Sequence, residues 1–217
     1  SIEVLAREGV LPTAAFNNCS GKHSGFLTTA VTYGEPTKGY IKYDHPVQQR
    51  LREVMSDLCG LDANAFPHGT DGCGIPTLAT PLKRLAQAMA AMADPSRLSS
   101  KRADAAQRIR AAMNAEPFMV AGSGRFCTRI NEAAPGVIQV KTGAEGVFCG
   151  MLPTLGLGVA IKMWDGAGRA SEIAMAALLH HLGVLPANQR EEILRPPIKN
   201  VVGLLVGEMR PAKSWLG

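Results

Sequence analysis

An α+β fold is predicted by three observations. The first half of the chain reads as almost wholly helical, short β-like runs arrive together between residues 137 and 164, and a strong helix at 169–181 follows them. Such an order implies an antiparallel sheet covered by helices. The expected organisation is a mainly helical region at 1–116 and a sheet with a C-terminal helix at 117–217, together one domain. A chain of 217 residues is long enough to bury a full core.

Residues 1–9 read as a short helix closed by Gly9. Residues 22–31 carry small and apolar side chains suited to a buried helix that starts near Cys19 or Ser20. From Pro46 to Leu58, the residues Val47, Leu51, Val54, Met55 and Leu58 recur at i, i+4, i+7, i+8 and i+11, an amphipathic stripe with Pro in the first turn. Residues 59–76, rich in Gly, Pro, Asp and His, predict an irregular segment. Helices are predicted over 78–92 and 99–113. Strands follow over 137–141, 147–151 and 157–164, the last ending at an Asp165-Gly166 turn. The helix at 169–181 closes at Gly183, and residues 201–206 predict a last strand.

Composition excludes several classes. With 46% apolar and 19% charged residues the chain is a globular one. No apolar run approaches the roughly 18 residues of a spanning helix, so no membrane partner is expected. The net charge of +5 is spread out apart from Lys101, Arg102 and the stretch 108–110, and aromatics make up only 5%, so no nucleic-acid partner is expected either. The odd count of five cysteines and the absence of a secretory signal imply a reducing compartment, hence the cytoplasm.

Three segments carry chemistry. Cys19-Ser20-Gly21-Lys22-His23 packs a thiol, a hydroxyl, an amine and an imidazole into five positions. On a helix, Cys19 and Lys22 share a face, and a helix N-terminus there favours anionic ligands. The segment also fits a buried Cys beside a capping Ser, or a Cys19 nucleophile with His23 as base at i+4. In Asp71-Gly72-Cys73-Gly74, two glycines free the backbone around Cys73. Cys73 fits a buried turn, or forms with Cys19 the pair of soft donors that zinc prefers. Lys141-Thr142-Gly143, in a β-like run, matches the third motif of serine β-lactamases and penicillin-binding proteins.

Together these segments resemble the bacterial and fungal L-asparaginase II family, related to the rhizobial inducible, thermolabile asparaginase. The matching residues are Asn17-Asn18-Cys19-Ser20-Gly21-Lys22-His23, Asp44-His45-Pro46-Val47-Gln48, Asp71-Gly72-Cys73-Gly74-Ile75-Pro76 and Lys141-Thr142-Gly143-Ala144-Glu145-Gly146, with 206–211 similar to the family's C-terminus. The resemblance implies a serine β-lactamase- or glutaminase-like fold and hydrolysis of L-asparagine to L-aspartate and ammonia. It implies zinc held by Cys19, Lys22 and Cys73, with water completing the shell and Asp71 and His23 behind the ligands. Lys22 could bind a metal only as a neutral amine, which calls for a lowered pKa. Lys141 is the implied catalytic lysine. Ser20, His23, Thr142, Gly143 and Glu145 are expected at the substrate, and a homodimer is expected.

The family's attacking serine belongs to a Ser-x-x-Lys motif, which this sequence lacks: Ser20 precedes Lys22 by two positions, not three. The nucleophile is therefore expected upstream, in an N-terminal third absent from these residues, and the fragment alone is expected to be inactive. The alternatives are a glutaminase or β-lactamase-like serine hydrolase, or a metal-binding fragment without catalysis.

Overall fold

The computed structural model describes residues 2–215 and divides the chain into two compact units, Ser1–Thr80 and Pro81–Gly217. It is an α+β protein built of helices and small antiparallel sheets.

The first unit holds helices α1 (Ile2–Arg7), α2 (Ser20–Thr32) and α3 (Pro46–Cys59), then a hairpin of β1 (His68–Thr70) and β2 (Pro76–Leu78). α3 follows the predicted stripe. Its entry is capped by His45, whose Nδ1 accepts from the Val47 amide at 3.2 Å, and it ends at Gly60 in the left-handed region that only glycine adopts without strain. α2 begins where predicted but is not a buried helix: Ala30 alone is fully buried. Its C-terminal end is tied to α3 by Arg50, which grips Glu35 at 2.7 and 3.2 Å and lies over the Tyr33 ring at 3.9 Å. Polar clamps replace apolar burial there, because the small residues of α2 offer little surface to bury.

The second unit opens with α4 (Leu82–Ala93) and α5 (Ser100–Ala115), followed by α6 (Pro117–Ala121) and α7 (Phe126–Ala133). Its sheet has the order β3 (Gln139–Thr142), β4 (Val147–Leu152), β5 (Leu157–Lys162), all antiparallel. α4 starts later than its Ala/Leu/Met composition suggests because Pro76–Leu78 is drawn into β2 and Pro81 sets the new start. Then come α8 (Gly168–His181), α9 (Arg190–Leu194) and an exposed hairpin of β6 (Pro197–Lys199) and β7 (Leu205–Glu208). The last strand is thus shifted from 201–206. The Asn200 side chain accepts from the Val202 and Leu204 amides at 3.2 and 2.9 Å and turns that segment into a loop.

Pleating gives the three-stranded sheet two distinct faces. Val140, Phe148, Leu152, Val159 and Ile161 pack with Ile130 of α7 and Met175 and Leu179 of α8 to form the core. Gln139, Lys141, Cys149 and Met151 alternate with them onto the other face. α4 lies against that face at Gly158, where a Cβ would come within 2.1 Å of the Ala90 nitrogen and 2.2 Å of the Ala86 oxygen. Among the described residues no helix is long and apolar enough to cross a membrane.

Candidate functional site

In the first unit, the hairpin turn between β1 and β2 is built by Asp71. Its Oδ1 accepts from the Cys73 amide at 2.8 Å and the Ile75 amide at 3.2 Å, while its own N–H donates to the Ile75 carbonyl at 2.9 Å. Gly74, at φ 84°, completes the turn. This wiring fixes Cys73 and leaves Asp71 Oδ2 free to receive Lys22 Nζ at 2.9 Å. Lys22 is the third residue of α2, and Cys19 occupies the position before its first residue, its amide held by Asn17 Oδ1 at 2.8 Å. The Cys19 side chain lies close enough to Cys73 to act on its thiol. Cys19, Lys22, Asp71 and Cys73, expected from separate motifs, thus form one cluster.

The electrostatics of the cluster favour its protonated cations and thiol. Burial pulls Lys22 down, but the hydrogen bond and charge of Asp71 outweigh it, so the amine is raised above its ordinary value. This is opposite to the lowered value that metal ligation calls for. Burial pushes Asp71 up, yet Lys22 and the Cys73 and Ile75 amides bring it net below the usual carboxylate value. The Cys73 thiol is raised first by its hydrogen bond with Cys19, then by burial, with Lys22 opposing.

Two thiols and an amine make a soft donor set that fits zinc with a fourth position for water. Among the described residues no three His, Cys, Asp or Glu side chains converge as a metal cage, so any such site needs the lysine nitrogen. Ser20 is half-buried at the first position of α2. His23 has another partner than Cys19: its Nδ1 lies 2.7 Å from Tyr40 Oη, and its ring meets Tyr40 and Phe26 edge-on. Tyr40 is a member of this neighbourhood that its sequence context did not reveal.

In the second unit, Lys141, Thr142, Gly143 and Glu145 all lie on the β3–β4 hairpin. Lys141 is exposed, and its Nζ donates to the Thr142 carbonyl at 2.8 Å. β3 is held from its open edge by α7. Asn131, fully buried, donates to the Val140 carbonyl at 3.2 Å and accepts from the Val140 amide at 2.8 Å, imitating a neighbouring strand. Cys127 Sγ accepts from the Thr142 amide at 3.2 Å. The Gly143 amide donates to the Val147 carbonyl at 2.7 Å. The Thr142 and Gly143 amides are therefore committed to the fold. The Ala144 and Glu145 amides have no partner among the described residues.

Glu145 has φ 54°, the only non-glycine residue with positive φ among those described, followed by Gly146 at φ 67°. A Cβ on Gly146 would come within 2.7 Å of Met163 Cβ, so the tight turn needs glycine there. Strain of this kind concentrates at ligand-binding turns. The sheet face bearing Lys141 and Cys149 opens on a hollow of about 660 Å³ walled by Met89, Met92, Met113, Met119 and Met151.

None of the curated proteins compared matches the chain. A family model described as L-asparaginase II matches residues 2–211, the span that carries both the cysteine–lysine cluster and the Lys141 hairpin. The chain therefore belongs to the L-asparaginase II family, a family of asparaginase-type amidohydrolases.

Proposed function

We propose that this chain serves an L-asparaginase that hydrolyses the side-chain amide of L-asparagine to L-aspartate and ammonia. The observation that carries the reading is the convergence of Cys19, Lys22, Asp71 and Cys73 within a chain of this family. A serine β-lactamase-like arrangement is part of the proposal, with the antiparallel sheet presenting Lys141.

In the mechanism, attack on the amide carbon falls to a serine hydroxyl of a Ser-x-x-Lys motif lying outside residues 1–217. Lys141 accepts that hydroxyl's proton and returns it to the departing nitrogen, which leaves as ammonia. Water then cleaves the acyl-serine ester to release aspartate. The Ala144 and Glu145 amides are donors of the hairpin available to the substrate's oxygen atoms, and the Thr142 hydroxyl can join them by turning away from the Gly143 carbonyl that it meets at 3.3 Å. Zinc, held by Cys19, Lys22 and Cys73, would bind or orient the α-amino or carboxylate end of the substrate, attracting the carboxylate charge or accepting the lone pair of a neutral amine. Asp71 holds the Cys73 turn in place and, in the metal-free cluster, pairs with the Lys22 ammonium, and His23, braced by Tyr40, sits one helical turn beyond Cys19.

Two assays test this. The intact protein should release ammonia from L-asparagine faster than from L-glutamine; no ammonia from either refutes the reading, and a glutamine preference makes it a glutaminase. Cys73→Ala should lose the zinc that the unaltered protein carries. Unchanged metal stoichiometry removes Cys73 from the ligand set.

A further inference from the structure

The five cysteines occupy different chemical settings. Cys59 and Cys127 are buried, where a thiol is shielded from reagents. Cys149 is half-buried on β4, and burial pushes its thiol up to about 11. Cys19 and Cys73 are both half-buried and meet in one cluster: Asp71 binds the Cys73 amide at 2.8 Å and Lys22, three residues after Cys19, at 2.9 Å, and Cys19 acts on the Cys73 thiol. Access and proximity are what a thiol pair needs to exchange with a small-molecule disulfide.

The segments that carry them are held in place. Asp71 fixes the Cys73 turn through the Cys73 and Ile75 amides, Asn17 fixes the Cys19 amide, and the Lys22–Asp71 ion pair ties one segment to the other at 2.9 Å.

We propose that Cys19 and Cys73 are a redox-modification site: they form a reversible disulfide, and the chain can hold a metal cation there only in the reduced form. The second half rests on the reading of both cysteines as metal ligands; the first does not. The oxidant is a small-molecule disulfide of the glutathione class. One cysteine sulfur attacks the glutathione disulfide and releases a glutathione thiol, giving a mixed disulfide. The other cysteine sulfur displaces the second glutathione. The two cysteines are oxidised by two electrons, one S–S bond is broken and one formed, and the two thiol protons end on two molecules of reduced glutathione. A cation bound through these sulfurs loses both thiolates and dissociates.

The test uses the intact protein, freed of metal by a chelator and equilibrated with glutathione disulfide. Thiols are counted after denaturation and cross-linked peptides mapped without reduction. The expected result is loss of two thiols, joined Cys19 and Cys73 peptides, and full recovery with dithiothreitol. Cys149→Ser should leave that two-thiol loss intact, whereas Cys19→Ser and Cys73→Ser should each abolish the cross-link. Retention of all thiols, glutathione adducts alone, or a cross-link through other cysteines overturns the proposal. Preloading with equimolar zinc should block the cross-link. If the disulfide forms equally fast with zinc present, the coupling to metal is overturned while the disulfide itself stands.

Discussion

Lys22 and Asp71, 49 positions apart in sequence, meet at 2.9 Å and join the start of α2 to the turn of the β1–β2 hairpin. The pair is partly exposed, with side chains 35% and 27% accessible, so its contribution is about 0.2–1 kcal/mol. Asp71→Asn keeps an oxygen for the Cys73 and Ile75 amides and removes only the charge. Because the folded Asp71 carboxyl lies below its ordinary 3.8, its stabilisation is present above that value and lost as pH falls through the folded one. Lys22 is raised above 10.5, so its share is complete below that value and lost as pH rises through the folded one. Urea unfolding should show Asp71→Asn less stable at neutral pH, with the difference vanishing as pH falls through the folded Asp71 value and shrinking as pH rises through the folded Lys22 value, where only the bonds from the Cys73 and Ile75 amides remain. A difference independent of pH would contradict the assignment.

Zinc binding at this cluster must displace protons from Cys19, Cys73 and Lys22, and Asp71 strengthens the hold on the last of these. Zinc affinity should therefore rise steeply with pH, with about two to three protons released per metal in calorimetry across buffers of different ionisation enthalpy. Asp71→Asn should bind zinc more tightly at neutral pH, since Lys22 then gives up its proton more readily. Release of fewer than two protons would exclude the dithiol site.

Asn131 fixes the strand that carries Lys141. Asn131→Ala leaves the Val140 N–H and carbonyl buried without their side-chain partner. The expected loss is about 2–5 kcal/mol, read as a lower urea midpoint. A shift within error would show that the sheet holds β3 unaided.

Gly158 has no room for a side chain. In Gly158→Ala the added methyl would meet backbone atoms of α4 at 2.1–2.6 Å, which cannot rotate away as a flexible side chain could. A destabilisation of about 3 kcal/mol or more is expected in thermal or chemical unfolding. Wild-type stability would mean that α4 does not rest on β5 at this point.

Periodicity and composition revealed α3, α5, α8 and the three central strands, because each is an uninterrupted run of one pattern, although α5 buries only Ala106. It overstated the burial of α2, since small residues spaced for a core carry no information on whether a partner covers them. It gave no reading of α6 and α7 across 117–133, where Gly122 and Gly124 break the helical pattern into pieces of five and eight residues. In the candidate site, the motif residues themselves were legible in the sequence. Their mutual wiring was not: the Lys22–Asp71 pair, the Tyr40 brace on His23 and the Asn131 and Cys127 bonds to β3 all cross between elements. Local composition carries no signal for such contacts, and the Lys22 shift reversed direction because of one of them.

The most direct measurement is the rate of ammonia release from L-asparagine by the intact protein and its Lys141→Ala variant. The unaltered protein should release ammonia and aspartate in equal amounts, and loss of the proton-transferring amine should slow it by about 100-fold or more. No ammonia from asparagine, or an undiminished rate in Lys141→Ala, would contradict the assignment of this hairpin to the chemistry.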